Sequence, residues 1–421
     1  MGDKRPAAFL TGIADQKTPK AEAESLLDEL AALARTLDIE VAGRELVTAR
    51  ERHPKFGMGT GKAAELAEKA LAIGADCLIF DWDPSPSQQR NWEELAGIPV
   101  VDRQELIIRI FAERALTREA ELQVRLAELS YRLPRLAHKY IDLSRQRGGR
   151  YGTRGTGETR LETDRRFLEQ RIHSLEKEIE AVRKQRQVQR RQRERQGIPV
   201  CAVVGYTNAG KSTLFNALTG SSVAAEDKLF VTLDAASRRF EPARGRPVLM
   251  VDTVGLIRRL PHALVNAFRA TLEEASLADL LIHVIDASDP EAGNFCRTTL
   301  RVLDEQGAGG IPVITVLNKT DRAGTAEDLA ALLKQFPGSI AVSALKKTGL
   351  DELAARIDQA FLGTVLRFRF PPGRTDLVSL LYRSGSVISE KYGEEYIEIE
   401  ARAGGRTAGM LKEYEVPAPP G

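Results

Sequence analysis

An apolar run, Pro199-Val200-Cys201-Ala202-Val203-Val204, leads directly into Gly205-Tyr206-Thr207-Asn208-Ala209-Gly210-Lys211-Ser212, and a helical pattern carrying Leu214, Phe215 and Leu218 follows at once. No other feature constrains the chain as much. Glycines at both ends let the backbone curl until several N–H groups and the positive end of the helix face one spot. A phosphate chain is the ligand that such a loop suits. Lys211 would neutralise β/γ oxygens and Ser212 would ligate Mg2+, with Tyr206, Thr207, Asn208, Ala209, Gly210 and Thr213 completing the cradle.

Four further elements follow in a fixed order. The run Val248-Leu249-Met250-Val251 ends in Asp252-Thr253-Val254-Gly255, where a carboxylate at a strand end can meet the Mg2+ shell and a glycine amide can meet the γ-phosphate. Between this and the first loop, Thr232 in Phe230-Val231-Thr232-Leu233-Asp234 can close over Mg2+ and the γ-phosphate as a first switch. After the apolar strand Pro312 to Leu317 comes Asn318-Lys319-Thr320-Asp321. The Asp321 carboxylate can accept from guanine N1–H and the exocyclic amine, whereas adenine would set an acceptor against it. Asn318 would brace that loop, and the Lys319 stem would cover the base. Last, Ser343-Ala344-Leu345 can offer a backbone amide to guanine O6. Together these residues imply a site for Mg·GTP and GDP that rejects ATP.

The nucleotide region, residues 198–363, continues as a βα alternation with six strand-like segments, a Ras-like P-loop α/β domain. At 421 residues the chain has room for several domains. Residues 1–101 show another βα rhythm and predict a small parallel sheet covered by helices. Residues 102–197 predict a long antiparallel two-helix coiled-coil arm. Its first helix opens at Asp102 with a capping box to Glu105, carries a seam of Leu122, Leu126, Leu129, Leu133 and Leu136, and is bent or ended by Pro134. Its second helix carries Leu161, Leu168, Ile172, Leu175, Ile179 and Val182. The loop 145–157 between them is rich in glycine and arginine. Residues 364–421 read as a small α+β module with a helix near 375–384 and strands at 386–392 and 395–402.

No uncharged apolar run of about 18 residues exists to span a bilayer, and the first residues lack the pattern of a secretory signal, so a cytoplasmic protein is expected. Cys77, Cys201 and Cys296 read as reduced core thiols, and the five scattered histidines lack the spacing of a zinc site. The net charge of +2 hides a strong unevenness. Arg145, Arg147, Arg150 and Arg154 have no acidic residue between them, and Arg183 to Arg195 is nearly as basic, which suits an RNA backbone as well as a solvated helix face. A second glycine-rich stretch, Phe56-Gly57-Met58-Gly59-Thr60-Gly61-Lys62, lacks the first glycine and the final hydroxyl of a phosphate loop and reads as a turn opening a helix.

The five nucleotide elements, with Leu256-Ile257-Arg258 and Leu260-Pro261-His262, resemble the HflX family of translation-associated GTPases, within the Obg-HflX group. The resemblance extends to Ser87-Gln88-Gln89-Arg90-Asn91, Val101-Asp102-Arg103, Ile110 to Ala115, Leu122-Gln123-Val124 and the highly specific stretch Gly155 to Arg166. It implies a GTPase that binds the large ribosomal subunit and its rRNA in the GTP state, splits stalled or stress-inactivated ribosomes, and is a monomer away from them, without membrane insertion. Lys211, Thr232, Gly255 and Asn208 form the expected catalytic set, Asn208 by holding K+ beside the phosphates as in related GTPases. Leu256 stands where many GTPases carry a water-orienting glutamine, so intrinsic turnover is expected to be slow. A soluble switch acting on a protein partner, and an NTP-dependent RNA remodeller, remain as rival readings.

Overall fold

The computed structural model describes residues 5–146, 154–196, 198–222, 229–230, 236–242, 247–259, 273–362, 364–403 and 405–416. Its contacts divide the chain into two units. The first is Met1–Lys184 with Glu226–Asp234 and Ile257–Ala270; the second is Gln185–Ala225, Ala235–Leu256 and Thr271–Gly421.

The first unit holds a parallel sheet in the order β2-β1-β3-β4, built from β1 (Ala7–Ala14), β2 (Glu40–Thr48), β3 (Cys77–Phe80) and β4 (Val100–Asp102). Helices α1 (Lys20–Thr36), α2 (Thr60–Ala72) and α3 (Pro86–Ala96) are the crossovers expected from the βα rhythm. Local chemistry sets the ends of α3: Ser85 and Gln88 form a capping box, Pro86 begins the first turn, and Gly97 ends the helix at φ 68°. The stretch 56–62 is a turn opening α2. Phe56 and Met58 are buried, Trp92 Nε1 donates to the Phe56 carbonyl at 2.9 Å, and Lys62 Nζ pairs with Glu45 at 2.6 Å and Glu65 at 2.9 Å.

Three details of the helical region depart from the sequence expectation. First, the helix from Asp102 is interrupted: α4 (Arg103–Arg114) stops at extended Ala115, and Thr117 Oγ1 accepts from Ala120 N to start α5 (Arg118–Gln146). Second, Asp102 does accept from Glu105 N at 2.8 Å, but the return half of the capping box is replaced, because Glu105 pairs with Arg109 and accepts from Tyr131 Oη. Third, α5 runs on through Pro134. The deeply buried apolar residues of α5 are Ala120, Leu122, Val124, Ala127 and Tyr131, so Leu122 of the expected seam is buried while Leu126, Leu129, Leu133 and Leu136 are only half-buried. Arg118 pairs with Glu178 of α6 (Arg154–Gln196) at 2.9 Å, and Leu175 of α6 is buried, but these contacts do not establish a coiled-coil arm.

The two later segments of this unit are tied to the α/β sheet domain by buried polar and aromatic contacts. Arg103, with its side chain 3% exposed, pairs with Asp81 at 2.9 Å and with Glu29, and donates to the Arg258 carbonyl at 3.3 Å. Arg258 donates to Ser25 Oγ at 2.7 Å; Arg259 donates to Thr18 Oγ1 at 2.7 Å and lies 3.4 Å from Asp81 Oδ2. Leu229 N donates to Thr36 Oγ1 at 3.3 Å, and Phe230 meets Phe111 edge-on at 4.6 Å between centroids.

In the second unit a six-stranded sheet runs β10-β9-β8-β5-β7-β6, parallel except for the edge strand β6. The strands are β5 (Val200–Gly205), β6 (Ala236–Phe240), β7 (Val248–Asp252), β8 (Leu280–Asp286), β9 (Val313–Asn318) and β10 (Ile340–Ala341). Helices α7 (Lys211–Thr219), α8 (Ala292–Glu305), α9 (Ala326–Gln335) and α10 (Leu350–Leu362) are interleaved with them. One face buries Cys201, Val203, Phe215, Met250, Ile282 and Val316; the other buries Ala202, Val204, Leu281 and Leu303. A sheet covered on both faces needs near-continuous apolar strands, and β5, β7 and β9 have them. The tail forms a separate antiparallel sheet, β12-β13-β11-β14, of β11 (Thr364–Phe370), β12 (Gly385–Tyr392), β13 (Ile397–Ala403) and β14 (Glu415–Val416), with α11 (Thr375–Ser384) and α12 (Gly405–Met410). Strands β11 and β14 are additions to the sequence reading. Among the described residues no helix is long and apolar enough to cross a membrane.

Candidate nucleotide site

The strand order reverses direction about β5, whose neighbours are β8 and β7, and the carboxyl ends of such strands open a crevice that suits a ligand. Gly205 ends β5 at φ 153°; a Cβ there would strike the Val284 carbonyl of β8. Gly210, at φ 87°, caps α7, and a Cβ there would strike Asn318 Nδ2. Both ends of the loop therefore require glycine, one for close approach and one for its left-handed conformation as well. Asn208 is also left-handed, at φ 60°, a conformation that asparagine tolerates better than most residues. Its side chain lies at the exposed surface of the loop.

Two backbone hydrogen bonds stitch this loop to the segment after Asp252. Thr207 N donates to the Leu256 carbonyl at 2.8 Å, and Leu256 N donates to the Gly205 carbonyl at 3.1 Å. Leu256 itself is 4% exposed, so its side chain belongs to the core. Gly255 is pressed between them: a Cβ there would lie 2.8 Å from Thr207 Cγ2 and 3.0 Å from Lys211 Nζ. Lys211 and Asp252 are both buried, and Lys211 Nζ donates to the Tyr206 carbonyl at 2.8 Å. Burial pushes the Lys211 pKa down to about 8, although the Asp252 carboxylate works in the opposite direction. Ser212, in the first turn of α7, is half-buried. A hydroxyl, a carboxylate and an ammonium around a glycine-lined approach are the hard donors and positive charge that a Mg2+-bound polyphosphate calls for.

The base end is braced by one side chain. Asn318 Nδ2 donates to the Ala209 carbonyl at 2.9 Å while its Oδ1 accepts from Ala344 N at 3.1 Å. Ser343 Oγ donates to Asp321 Oδ1 at 2.5 Å, and that bond is the main reason the carboxyl is held below its usual range. Ser343 Oγ also accepts from Lys346 N at 3.1 Å, fixing the loop that carries Ala344 and the exposed Leu345. Lys319 stands at φ 60°, its ammonium 2.8 Å from Asp286 Oδ2. The structure thus brings together Gly205 to Ser212, Asp252, Gly255, Asn318 to Asp321 and Ser343 to Ala344 at one edge of one sheet.

Other expected residues are not reached. Thr232, Arg147 and Arg150 lie outside the described residues, and Arg145 and Arg154 sit at helix ends whose side chains are not described. Conversely, sequence reasoning missed Asp286, whose signal was a carboxylate at the end of β8, in register with Asn318 of β9. It also missed Phe295, which stacks on Tyr206 at 4.0 Å, and Thr253, whose hydroxyl donates to the Val203 carbonyl at 2.7 Å.

Comparison with known proteins agrees with this geometry. The chain matches family models described as GTP-binding GTPase N-terminal over residues 24–112, GTP-binding GTPase Middle Region over 114–193, and 50S ribosome-binding GTPase over 200–319. It is 46% identical over 409 residues to GTPase HflX of Akkermansia muciniphila, covering 94% of this chain and 93% of that protein. With GTPase HflX of Escherichia coli it shares 40% identity over 375 residues, 88% and 87% of the two chains. A crystal structure of a GTP-binding protein from Sulfolobus solfataricus in complex with GDP is 27% identical and covers 84% of this chain and 97% of that one, with a TM-score of 0.44. The two HflX relatives, matched nearly end to end at 46% and 40% identity, and the three family models leave one assignment: the chain belongs to the HflX family of GTPases and hydrolyses GTP.

Proposed function

We propose that this GTPase binds the large ribosomal subunit in its GTP state, splits stalled or stress-inactivated ribosomes, and leaves after hydrolysis to GDP. The observation that carries the reading is the match of residues 200–319 to a family described by binding to the 50S ribosome, on a site whose phosphate and base loops are held in one piece by Asn318. The run of Arg145, Arg147, Arg150 and Arg154, with no acidic residue between them, would supply the positive charge that an rRNA backbone attracts. The protein would work in the cytoplasm as a monomer.

In this reading Lys211 neutralises the β/γ oxygens, Asp321 selects guanine, and Gly255 and Thr232 report the γ-phosphate to the segments that follow them. Ser212, Asp252 and Thr232 would hold Mg2+, which supplies charge neutralisation on the phosphates; Asn208 would contribute to a K+ site. Because Leu256 has no hydrogen-bonding side chain, turnover is slow until the ribosome orders the attacking water.

Sedimentation with purified large subunits, once with a non-hydrolysable GTP analogue and once with GDP, tests this directly. Co-sedimentation confined to the GTP analogue is expected. Equal pelleting in both states, or in neither, would overturn the proposal.

A further inference from the structure

Strand β8 and helix α8 face one another across a layer that is apolar except at one level. Leu281 and Ile285 of β8 pack in clusters with Leu303 and Cys296 of α8, and the residue between them on the same face of the strand is His283. On the helix, the buried residue between Cys296 and Leu303 is Thr299. His283 is 1% exposed and Thr299 is 0% exposed. Among the described residues neither His283 Nδ1 nor Thr299 Oγ1 has a hydrogen-bond partner, and the same is true of Thr207 Oγ1 in the phosphate loop. All three residues line one cavity of about 50 Å3, together with Tyr206, Asp286 and Phe295.

Two polar groups placed opposite each other in an apolar layer, both without partners among the described residues, are expensive unless something between them accepts and donates. Burial, with a lesser contribution from the Lys211 charge, holds the His283 pKa down to about 4, so the imidazole is neutral and offers one donor and one acceptor. Water satisfies either tautomer and both hydroxyls, and the space exceeds the roughly 10–15 Å3 that a single water needs on this measure. None of these three side chains supplies a counter-charge, so the occupant that suits them is neutral.

We propose that Thr207, His283 and Thr299 hold one or two buried waters behind the phosphate loop, which makes His283 and Thr299 positioning residues for nucleotide binding. The hydrated contact ties α8 to Thr207, whose amide is bonded to Leu256 and whose methyl group abuts Gly255. It therefore stiffens the curl that presents the loop amides. The consequence for nucleotide affinity rests on the reading that residues 205–212 take the phosphates; the waters themselves do not.

The test uses the full chain. Thr299→Val removes the hydroxyl at nearly constant shape and Thr299→Ser restores it. Release of a fluorescent GDP should be about 5-fold faster in Thr299→Val, the loss of one modest hydrogen bond, and within about twofold of the parent in Thr299→Ser. Crystals of the parent protein diffracting well should show water about 2.7–3.2 Å from His283 Nδ1 and Thr299 Oγ1. Unchanged release in Thr299→Val, equal damage in both variants, or a parent cavity that is dry or closed by rotated side chains would each overturn the proposal. If Thr299→Val does not fold, the crystal of the parent decides. If the parent binds no GDP, the nucleotide reading fails while the water density still tests the site.

Discussion

Asn318 Nδ2 donates to the Ala209 carbonyl at 2.9 Å, so the loop expected to read the base and the loop expected to hold the phosphates share a buried side chain. The other end of the same amide accepts from Ala344 N, which brings a third loop into register. Asn318→Ala would leave a buried carbonyl and a buried amide unsatisfied at once. At about 1–3 kcal/mol for each such group, GDP affinity should fall roughly 10- to 100-fold, since the cost is shared between the free and bound states. Titration calorimetry checks this, and an unchanged Kd would mean that the three loops hold their places without the bridge.

In the proposed reading base selectivity rests on Asp321, whose carboxyl accepts from Ser343 Oγ at 2.5 Å. Asp321→Asn exchanges an acceptor for a donor. Guanine then meets a clash of donors at its exocyclic amine, whereas xanthine carries an oxygen there. The variant should lose GDP affinity by roughly 100-fold or more and gain xanthosine diphosphate affinity. Competition of a fluorescent nucleotide by the two diphosphates measures the reversal; parallel loss of both would indicate that Asp321 acts by holding Ser343.

If Lys211 meets the phosphates as proposed, nucleotide binding should be sensitive to mildly alkaline pH. In the ligand-free protein burial depresses its pKa to about 8. A polyanion favours the ammonium form, so binding raises that pKa and takes up a proton whenever the free protein has lost it. Affinity is therefore full below pH 8 and weakens as pH rises through that value, by about tenfold per unit until the bound-state pKa is reached. GDP titrations between pH 7 and 9, repeated in buffers of different ionisation enthalpy, should show this decline together with proton uptake. A flat profile would mean that Lys211 is already charged throughout the range.

The phosphate loop was legible because everything that defines it is local: a strand, two glycines with distinct steric duties and a helix start, within Val200 to Phe215. The parallel sheets were legible for the same reason, as alternating periodicity. The break at Ala115 was not, because Leu116 and Thr117 continue an apparently helical stretch, and only the Thr117 cap reveals the restart. Nor was most of the buried face of α5: of the expected seam only Leu122 is buried, while Ala120, Ala127 and Tyr131 join it on a helix packed against α3 and α4. Asp286 and the Arg103 cluster depend on partners brought in from distant sequence, such as Lys319 and Arg258, which no periodicity encodes.

That cluster yields the last prediction. Arg103 is 3% exposed at its side chain and satisfies Asp81 and Glu29, themselves 5% and 8% exposed, while also holding the Arg258 carbonyl. Burial raises the Asp81 carboxyl above its usual range, and the guanidinium of Arg103 is the largest influence opposing that rise. Removing the cation leaves two buried carboxylates with only their longer ion pairs, Asp81 to Arg259 at 3.4 Å and Glu29 to Arg258 at 3.7 Å, and breaking a buried pair from one side costs up to about 3–5 kcal/mol. Arg103→Ala should therefore lower unfolding stability by that amount at pH 7. Arg103→Lys should recover only part, because an ammonium lacks the planar fork that reaches Asp81, Glu29 and a carbonyl together. Since burial already raises the Asp81 carboxyl and the loss of Arg103 removes the largest influence opposing that rise, Asp81 can be neutralised by a proton and the deficit of Arg103→Ala should shrink as pH falls towards 5. Urea unfolding at pH 5 and pH 7 measures both terms; a deficit independent of pH would assign the loss to packing around the Arg103 stem and not to uncompensated charge.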